Sequence, residues 1–316
     1  MGALAHLMLA KGHKVTGSDL KQNQLTAVLS QNGAQIFIGH EPANILGADY
    51  IVYSSAVKAD NPEMVHAHQQ GIKIMKRAQL LAELMRGQTA ITIAGAHGKT
   101  TTTAMIANLL NRAGFHPTTA VGGLLNGESQ NAIFGDGKYF VAEVDESDGS
   151  FLLFSPKFSV ITNIDFEHVD YYHTWENILK AYNQFIGQTV SDGLIVACGE
   201  DDRLRQLLTD SKRRFMTYGL SAKHDVYAEH IRLEGYNSFF DCVFKGENLG
   251  TVQLAVPGQH NVLNALACIA IGLSLSIDFE RIRQSLKVFR GVQRRLQLKA
   301  SIKDILVIDD YGHHPT

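Results

Sequence analysis

Ile93-Ala94-Gly95-Ala96-His97-Gly98-Lys99-Thr100-Thr101-Thr102-Thr103 follows an apolar, β-branched segment that begins at Thr89. It leads into an alanine- and leucine-rich stretch, Thr101 to Arg112, that reads as a helix. A glycine loop between a strand and a helix lets backbone N–H groups close around phosphates. The helix N-terminus adds partial positive charge and the lysine a full one. A hydroxyl directly after that lysine is where a phosphate-bound Mg²⁺ finds a protein ligand. The spacing is shorter than that of the general phosphate loop, whose first glycine would fall on Ile93; what stands here is G-x-x-G-K-T-T. A turn glycine before a capped helix is the competing reading, and a nucleoside triphosphate site is the better one.

Outward from this loop the chain alternates short strands and helices, the pattern of a doubly wound parallel sheet. Ahead of it, residues 2–11 read as a helix ended by Gly12, followed by a strand at Lys14–Thr16 and a helix from Asn23 to Gln31. Strands are expected at Gln35–Ile38, Tyr50–Tyr53 and Ile72–Met75, with helices starting near Asn61-Pro62 and spanning Gln79–Arg86. A unit of this kind ordinarily opens with a strand and a glycine turn, and neither precedes the first helix here. Beyond the loop, strands are expected at Ala90–Ala94, Thr118–Val121, Tyr139–Val144, Ser159–Thr162 and Leu194–Ala197. Helices are expected at Trp175–Ile186 and Asp201–Leu208. Residues 225–256 alternate apolar and polar positions with turns at Gly235, Gly246 and Gly250, which reads as antiparallel ribbon. Helices Asn261–Ser274 and Phe279–Val288 follow, the second capped by Asp278, and then a strand at Ile305–Ile308. The fold class is therefore α/β: a Rossmann-like N-terminal domain (1–87), then a phosphate-loop α/β domain with an antiparallel β addition (88–292). Residues 293–316 read as the start of a further domain.

Composition narrows the function classes. A formal net charge of −2 over 316 residues, without a basic block, gives no reason to expect nucleic acid or a membrane surface as partner. Cys198, Cys242 and Cys268 lack the paired spacing of zinc or redox motifs and read as small buried hydrophobes in a reducing, cytoplasmic compartment. The most apolar stretch, Val262–Ile277, is too short to span a bilayer.

Two acidic runs fall at expected strand ends, where ligands of open α/β sheets gather. One is Glu143-Val144-Asp145-Glu146-Ser147-Asp148, the other Asn163-Ile164-Asp165-Phe166-Glu167-His168-Val169-Asp170. The first could be a solvated turn, and beside a phosphate loop magnesium binding is as good a reading. The histidine of the second reads alone as a surface residue or helix cap, yet its strand-end place would let oxygen and imidazole ligands face the same phosphates. Asn261 and Asn264 lie on one helical face and on spacing alone read as capping amides.

Taken together and in order, these motifs resemble the Mur ligase family, the ATP-dependent amino-acid ligases of bacterial cell-wall precursor synthesis. The set comprises Gly95-x-x-Gly98-Lys99-Thr100-Thr101, Glu143-x-Asp145-Glu146-Ser147-Asp148, Asn163-x-x-x-Glu167-His168-x-Asp170 and His260-Asn261-x-x-Asn264-Ala265. Gly291-x-x-Arg294-Arg295 and Asp310-Tyr311-x-His313-His314-Pro315-Thr316 complete it. Its Asp-Glu-Ser-Asp and Asp-Tyr-x-His-His-Pro-Thr runs are similar to those of the branch that joins L-alanine to UDP-N-acetylmuramate. The resemblance implies that Gly95, Ala96, His97, Gly98, Lys99, Thr100 and Thr101 hold ATP, with Asn261 and Asn264 on its adenine side and Arg295 and Asp310 closing over it. It implies Mg²⁺ at Thr100, Glu143 and His168, with Lys99, Glu143 and His168 forming the catalytic set. It also places the uridine nucleotide at Ser18, Asp19, Ser54 and Ser55; alternatively, Asp19 is a ribose-binding strand-end acid. Glu167 stands where the family usually has aspartate. The first strand and glycine turn, and nearly all of the family's last domain, have no counterpart, so the resemblance implies a fragment that by itself is inactive. Competing functions are a sibling ligase attaching a preformed peptide in wall recycling, and a phosphate-loop NTPase of another class. A nicotinamide oxidoreductase would need the glycine turn that the first block lacks.

Overall fold

The computed structural model describes residues 1–123, 131–303 and 305–312, and is α/β throughout. It divides into two compact units, Met1–Gly87 with Gly127–Phe134, and Gln88–Asn126 with Gly135–Thr316.

In the first unit, helices Gly2–Ala10, Gln24–Gln31, Pro62–Gln69 and Arg77–Met85 alternate with strands Thr16–Asp19, Gln35–Ile38, Tyr50–Tyr53 and Lys73–Lys76. The strands pair in parallel, Thr16–Asp19 with Gln35–Ile38 and Tyr50–Tyr53 with Lys73–Lys76. Local chemistry explains the helix starts. Asn23 accepts the Thr26 N–H while the Thr26 hydroxyl accepts the Asn23 N–H, a reciprocal cap. Asn61 accepts from Glu63 and Met64 ahead of Pro62, whose fixed φ suits the first helical position. The first strand begins at Thr16 instead of Lys14. The preceding residues are spent closing the helix, with Gly12 and His13 donating back to Leu9 and Met8. Leu4, Leu7, Leu29, Met64, Leu80, Leu81 and Met85 are buried.

In the second unit one sheet runs, in spatial order, Glu247–Leu254, Asn237–Phe244, Val226–Glu234, Phe215–Gly219, Leu194–Cys198, Phe158–Ile161, Thr89–Ala94, Tyr139–Glu143 and Thr118–Ala120. From Val226–Glu234 to Thr118–Ala120 the pairing is parallel; the first three strands are antiparallel. Ile91, Ile93, Val141, Val160, Ile195 and Val196 are fully buried. Such apolar runs are what strands covered on both faces require. Helix Lys99–Arg112 and the apolar helix Gln259–Ser274 supply Met105, Leu109, Leu266 and Ile269 to the same core.

Two further expectations are corrected, and two strands are added. The phosphate-loop helix begins at Lys99, two residues before Thr101, because Gly98 takes a left-handed φ of 84° and the Thr102 N–H already reaches Gly98 O at 3.0 Å. Gly250 lies inside a strand at a β-bulge rather than in a turn: Cys242 pairs with Gly250 but Val243 with Asn248. Strand Phe215–Gly219 and hairpin partner Gln297–Ile302, which pairs with Ile305–Asp309, were not expected. Helix Phe279–Val288 starts at its Asp278 cap as read, with Asp278 accepting from Glu280 and Arg281. Among the described residues no helix is long and apolar enough to cross a membrane.

Candidate nucleotide site

The sheet order places strand Thr89–Ala94 between Tyr139–Glu143 and Phe158–Ile161, with Ile93 paired to Glu143 and Ala94 to Ile161. The phosphate loop and both acidic runs therefore leave the sheet side by side at its carboxyl edge. The loop turns on Gly95 (φ 128°) and Gly98 (φ 84°), backbone conformations that favour glycine. No side chain fits at either position. A Cβ on Gly95 would collide with the Thr162 hydroxyl and lie 2.9 Å from Asn163 O; one on Gly98 would lie 2.5 Å from Asn264 Oδ1.

The neighbouring strand end braces this loop. Asn163 Oδ1 accepts the His97 N–H at 2.9 Å, and His97 O accepts from Asn163 Nδ2 (3.1 Å) and Thr162 Oγ1 (2.5 Å). The His97 ring lies 3.1 Å from Asp165 Oδ2 and 3.7 Å from Glu167 Oε1. The longer acid at 167 thus still reaches the loop. Lys99 Nζ donates to Gly95 O at 2.5 Å and to Glu146 Oε1 at 2.6 Å. Thr100 and Thr101 lie in the first helical turn, where N–H groups have no acceptor within the helix.

Glu143 ends its strand against Gly122, where any Cβ would overlap the carboxylate; a Cβ on Gly123 would lie 3.2 Å from Thr100 Cγ2. The pair Gly122-Gly123 thereby brings Thr100 and Glu143 into one neighbourhood. His168, in a left-handed conformation at φ 55°, puts its Nε2 3.6 Å from Glu146 Oε1 and 3.9 Å from Glu167 Oε2. Its pKa is raised, first by polar contact with Glu146 and further by the charges of Glu146, Glu167 and Asp145, with burial opposing. Tyr172 donates its hydroxyl to Glu146 O, and burial raises its pKa.

The two asparagines are turned inward. Asn264, 6% exposed, accepts from the Thr102 hydroxyl at 3.1 Å and donates to Asn261 Oδ1 at 3.2 Å, while Asn261 Nδ2 donates to Pro257 O at 2.7 Å. They brace helix Gln259–Ser274 against the phosphate-loop helix. Asp310 accepts the Leu296 N–H at 2.7 Å, and its charge bears on His260, whose pKa burial lowers. The Arg294 guanidinium stacks 4.7 Å from the Tyr311 ring centre, and that of Arg295 lies 5.8 Å away. His313-His314-Pro315-Thr316 lie outside the described residues.

In the first unit, Ser18 and Asp19 end one strand and Ser54-Ser55 follow another. The Ser18 hydroxyl donates to Glu63 Oε2 at 2.7 Å and lies 3.0 Å from His40 Nδ1, and Asn44 Nδ2 donates to Glu63 Oε1 at 2.8 Å. Asp19 receives the Lys21 N–H at 3.3 Å. Glu63, His40 and Asn44 were not singled out in the sequence, and no local spacing marks them. Glu146 and Gly122-Gly123 were missed as site residues too. The glycine pair closing a threonine-rich strand was the available signal.

The description Mur ligase middle domain matches residues 93–272, and Mur ligase family, catalytic domain, matches residues 1–89. UDP-N-acetylmuramate–L-alanine ligase of Geobacter sp. (strain M21) is 47% identical over 316 residues, covering 100% of this chain and 68% of that protein. The enzyme of the same name from Desulfosudis oleivorans is 46% identical over 100% of this chain and 69% of its own length. The crystal structure of UDP-N-acetylmuramate-alanine ligase MurC from Thermotoga maritima superposes with a TM-score of 0.90 at 32% identity, covering 100% of this chain and 72% of that one. UDP-N-acetylmuramate:L-alanyl-γ-D-glutamyl-meso-diaminopimelate ligase from Neisseria meningitides gives a TM-score of 0.84 at 26% identity, over 93% and 96%.

Proposed function

This chain belongs to the Mur ligase family, and we propose that it serves the ATP-dependent joining of L-alanine to UDP-N-acetylmuramate in peptidoglycan precursor synthesis. The observation that carries the chemistry is the convergence, at three adjacent strand ends, of the Gly95–Thr101 loop with Glu143 and with the Glu146–His168 pair. The relatives that share 46–47% of its residues carry that substrate pair in their names. The peptide-attaching ligase is the less similar at 26% identity.

A carboxylate is a poor acyl donor, so the sugar's carboxylate takes the γ-phosphoryl group of ATP to give an acyl phosphate, and ADP is the leaving group. The neutral amine of L-alanine then attacks the acyl carbon, phosphate leaves, and the amine gives up a proton as the amide forms. The first step brings one anion onto another; each unit-charge repulsion at ~4 Å costs about 4 kcal/mol at an effective dielectric near 20. Lys99 and the N–H groups of the loop and first helical turn oppose that repulsion. The residues also fit a Mg²⁺ shared with phosphates. Glu143 lies against Gly122 and the Thr100 side chain beside Gly123, His168 offers an imidazole, and Glu146 Oε2 is buried without a hydrogen-bond partner among the described residues. Among the described residues no group of three or more His, Cys, Asp or Glu is placed to hold a metal ion, so an ion here would take most of its shell from phosphate and water. Bound there, Mg²⁺ would neutralise developing phosphate charge. Asn261 and Asn264, which brace the loop helix, would lie on the adenine side of ATP, and Arg295 and Asp310, which flank the hairpin of strands Gln297–Ile302 and Ile305–Asp309, would close over it. Ser18, Asp19, Ser54 and Ser55 form the proposed uridine-nucleotide edge of the first unit, and a cytoplasmic location follows from the substrates.

The test is product formation by the reading frame that carries this chain, with ATP, Mg²⁺, UDP-N-acetylmuramate and either L-alanine or the tripeptide. UDP-N-acetylmuramoyl-L-alanine by mass spectrometry is the expected result. Tripeptide transfer without alanine transfer would overturn the substrate assignment.

A further inference from the structure

The phosphate-loop lysine has a carboxylate of its own. Lys99 Nζ donates to Gly95 O and Glu146 Oε1 at 2.5 and 2.6 Å, with Ala96 O at 3.4 Å. An ammonium has three protons, and these three acceptors are placed to take them. Glu146 is 3% exposed and its backbone is pinned, its carbonyl accepting from Tyr172 Oη at 2.5 Å and from the Gly149 N–H at 3.1 Å. The oxygen that meets Lys99 also lies 3.6 Å from His168 Nε2. Its other oxygen, Oε2, is buried without a hydrogen-bond partner among the described residues. A purely structural buried ion pair is expected to satisfy both oxygens, because a half-satisfied buried network is costly.

The geometry points to Glu146 as the positioning residue of this site, standing where a phosphate's charge belongs and surrendering Lys99 when phosphate arrives. The inference rests on reading the loop as a phosphate site. It follows from the contacts: Nζ has no proton left for a phosphate oxygen unless Glu146 or a loop carbonyl lets go. Of these, the carboxylate is the one that an arriving anion repels. Glu146 then remains beside His168, 3.6 Å from its Nε2, so the residue that holds the lysine ready also faces the imidazole. Binding of a polyphosphate must therefore work against Glu146 twice, by competing for Lys99 and by approaching its charge.

The test is equilibrium binding of ADP and of a non-hydrolysable ATP analogue to the full chain in EDTA, comparing wild type with Glu146→Gln, Glu146→Asp and Lys99→Ala. Glutamine keeps the shape without the charge, and binding at least tenfold tighter than wild type is expected, equivalent to about 1.4 kcal/mol. Aspartate keeps the charge but draws it back from Nζ, and an intermediate gain is expected. A structural role alone predicts the opposite sign, weaker binding together with a lower unfolding midpoint. Glutamine binding no tighter than wild type, while Lys99→Ala abolishes binding, overturns the assignment of Glu146 and leaves the phosphate site standing. Binding that is unchanged in Lys99→Ala, or absent from all four proteins, overturns the phosphate-site reading and this inference with it. Should the glutamine variant not fold, aspartate decides, and wild-type affinity there overturns the assignment.

Discussion

Replacing Gly98 by alanine should destabilise the second unit by roughly 3–4 kcal/mol, and the structure gives the origin of each part. Gly98 has φ 84°, and an L side chain in left-handed backbone costs about 1–2 kcal/mol. The added methyl would lie 2.5 Å from Asn264 Oδ1 and 3.5 Å from Asn264 Cγ. Asn264 is buried and cannot retreat without giving up its bonds to the Thr102 hydroxyl (3.1 Å) and to Asn261 Oδ1 (3.2 Å). Each is worth about 1 kcal/mol net, more if a buried partner is left unpaired. The chain has one tryptophan, Trp175, at the start of helix Trp175–Gln188 in the second unit. Its fluorescence during urea unfolding reports that unit even if the two units unfold separately. A cycle with Asn264→Ala separates strain from collision. Removing the asparagine first should relieve the clash, so the two losses should fall short of additive by about 1 kcal/mol or more. A Gly98→Ala midpoint within experimental error of wild type, or a strictly additive cycle, would refute the packing argument.

Lys99→Ala should abolish ATP-dependent turnover while leaving UDP-N-acetylmuramate affinity, measured calorimetrically, within about twofold, because the proposed uridine residues lie in the other unit; a large loss in a folded variant would argue against separate sites. His168→Ala should raise the Mg²⁺ concentration for half-maximal activity more than it weakens ATP binding at saturating metal, since Glu143 and Thr100 remain, and an unchanged midpoint would return His168 to a structural loop role. The native chain should not react with a disulfide reagent at pH 8, whereas the unfolded chain should titrate three thiols: Cys198, Cys242 and Cys268 are all buried, and burial pushes Cys198 up to about 11 and Cys242 to about 12. Because those folded values lie above the ordinary value of 9.0, the thiols' contribution to stability is complete below that pH and is lost as the pH rises through 11 to 12, so urea midpoints should fall on the alkaline side.

What the sequence made legible was local. The caps at Asn61-Pro62 and Asp278 act within two or three residues, so their chemistry can be read without knowing the fold. The strands Gln35–Ile38 and Tyr50–Tyr53 stand where the short apolar runs put them. Where local signals competed, the reading slipped. Four consecutive threonines, Thr100–Thr103, have a weak helix preference because of their β-branching, and the expected start at Thr101 falls inside that run. The left-handed turn at Gly98 overrides that preference and begins the helix at Lys99. Gly250 shows the converse error: a glycine at positive φ serves a bulge as well as a turn, and only the partner strand's register separates the two.

The candidate site was legible as a list of residues but not as a circuit. Sequence order gives the phosphate loop and two acidic runs; it does not say that the strand carrying the loop lies between the strands carrying the acids. That sheet order turns Glu146, 47 positions from Lys99, into the lysine's own partner at 2.6 Å. It also gives His168 its carboxylate neighbour and turns Gly122 into a space that only hydrogen can occupy beside Glu143. The same holds in the first unit, where Ser18, His40, Asn44 and Glu63 meet across separations of 19 to 45 residues. Each of these contacts joins groups that repel or waste hydrogen bonds unless correctly placed, so the fold must be specified by the apolar strands before the polar set can form. The buried valines and isoleucines of the parallel sheet supply that specification. The polar residues then add to stability only in the arrangement that pairs each of them.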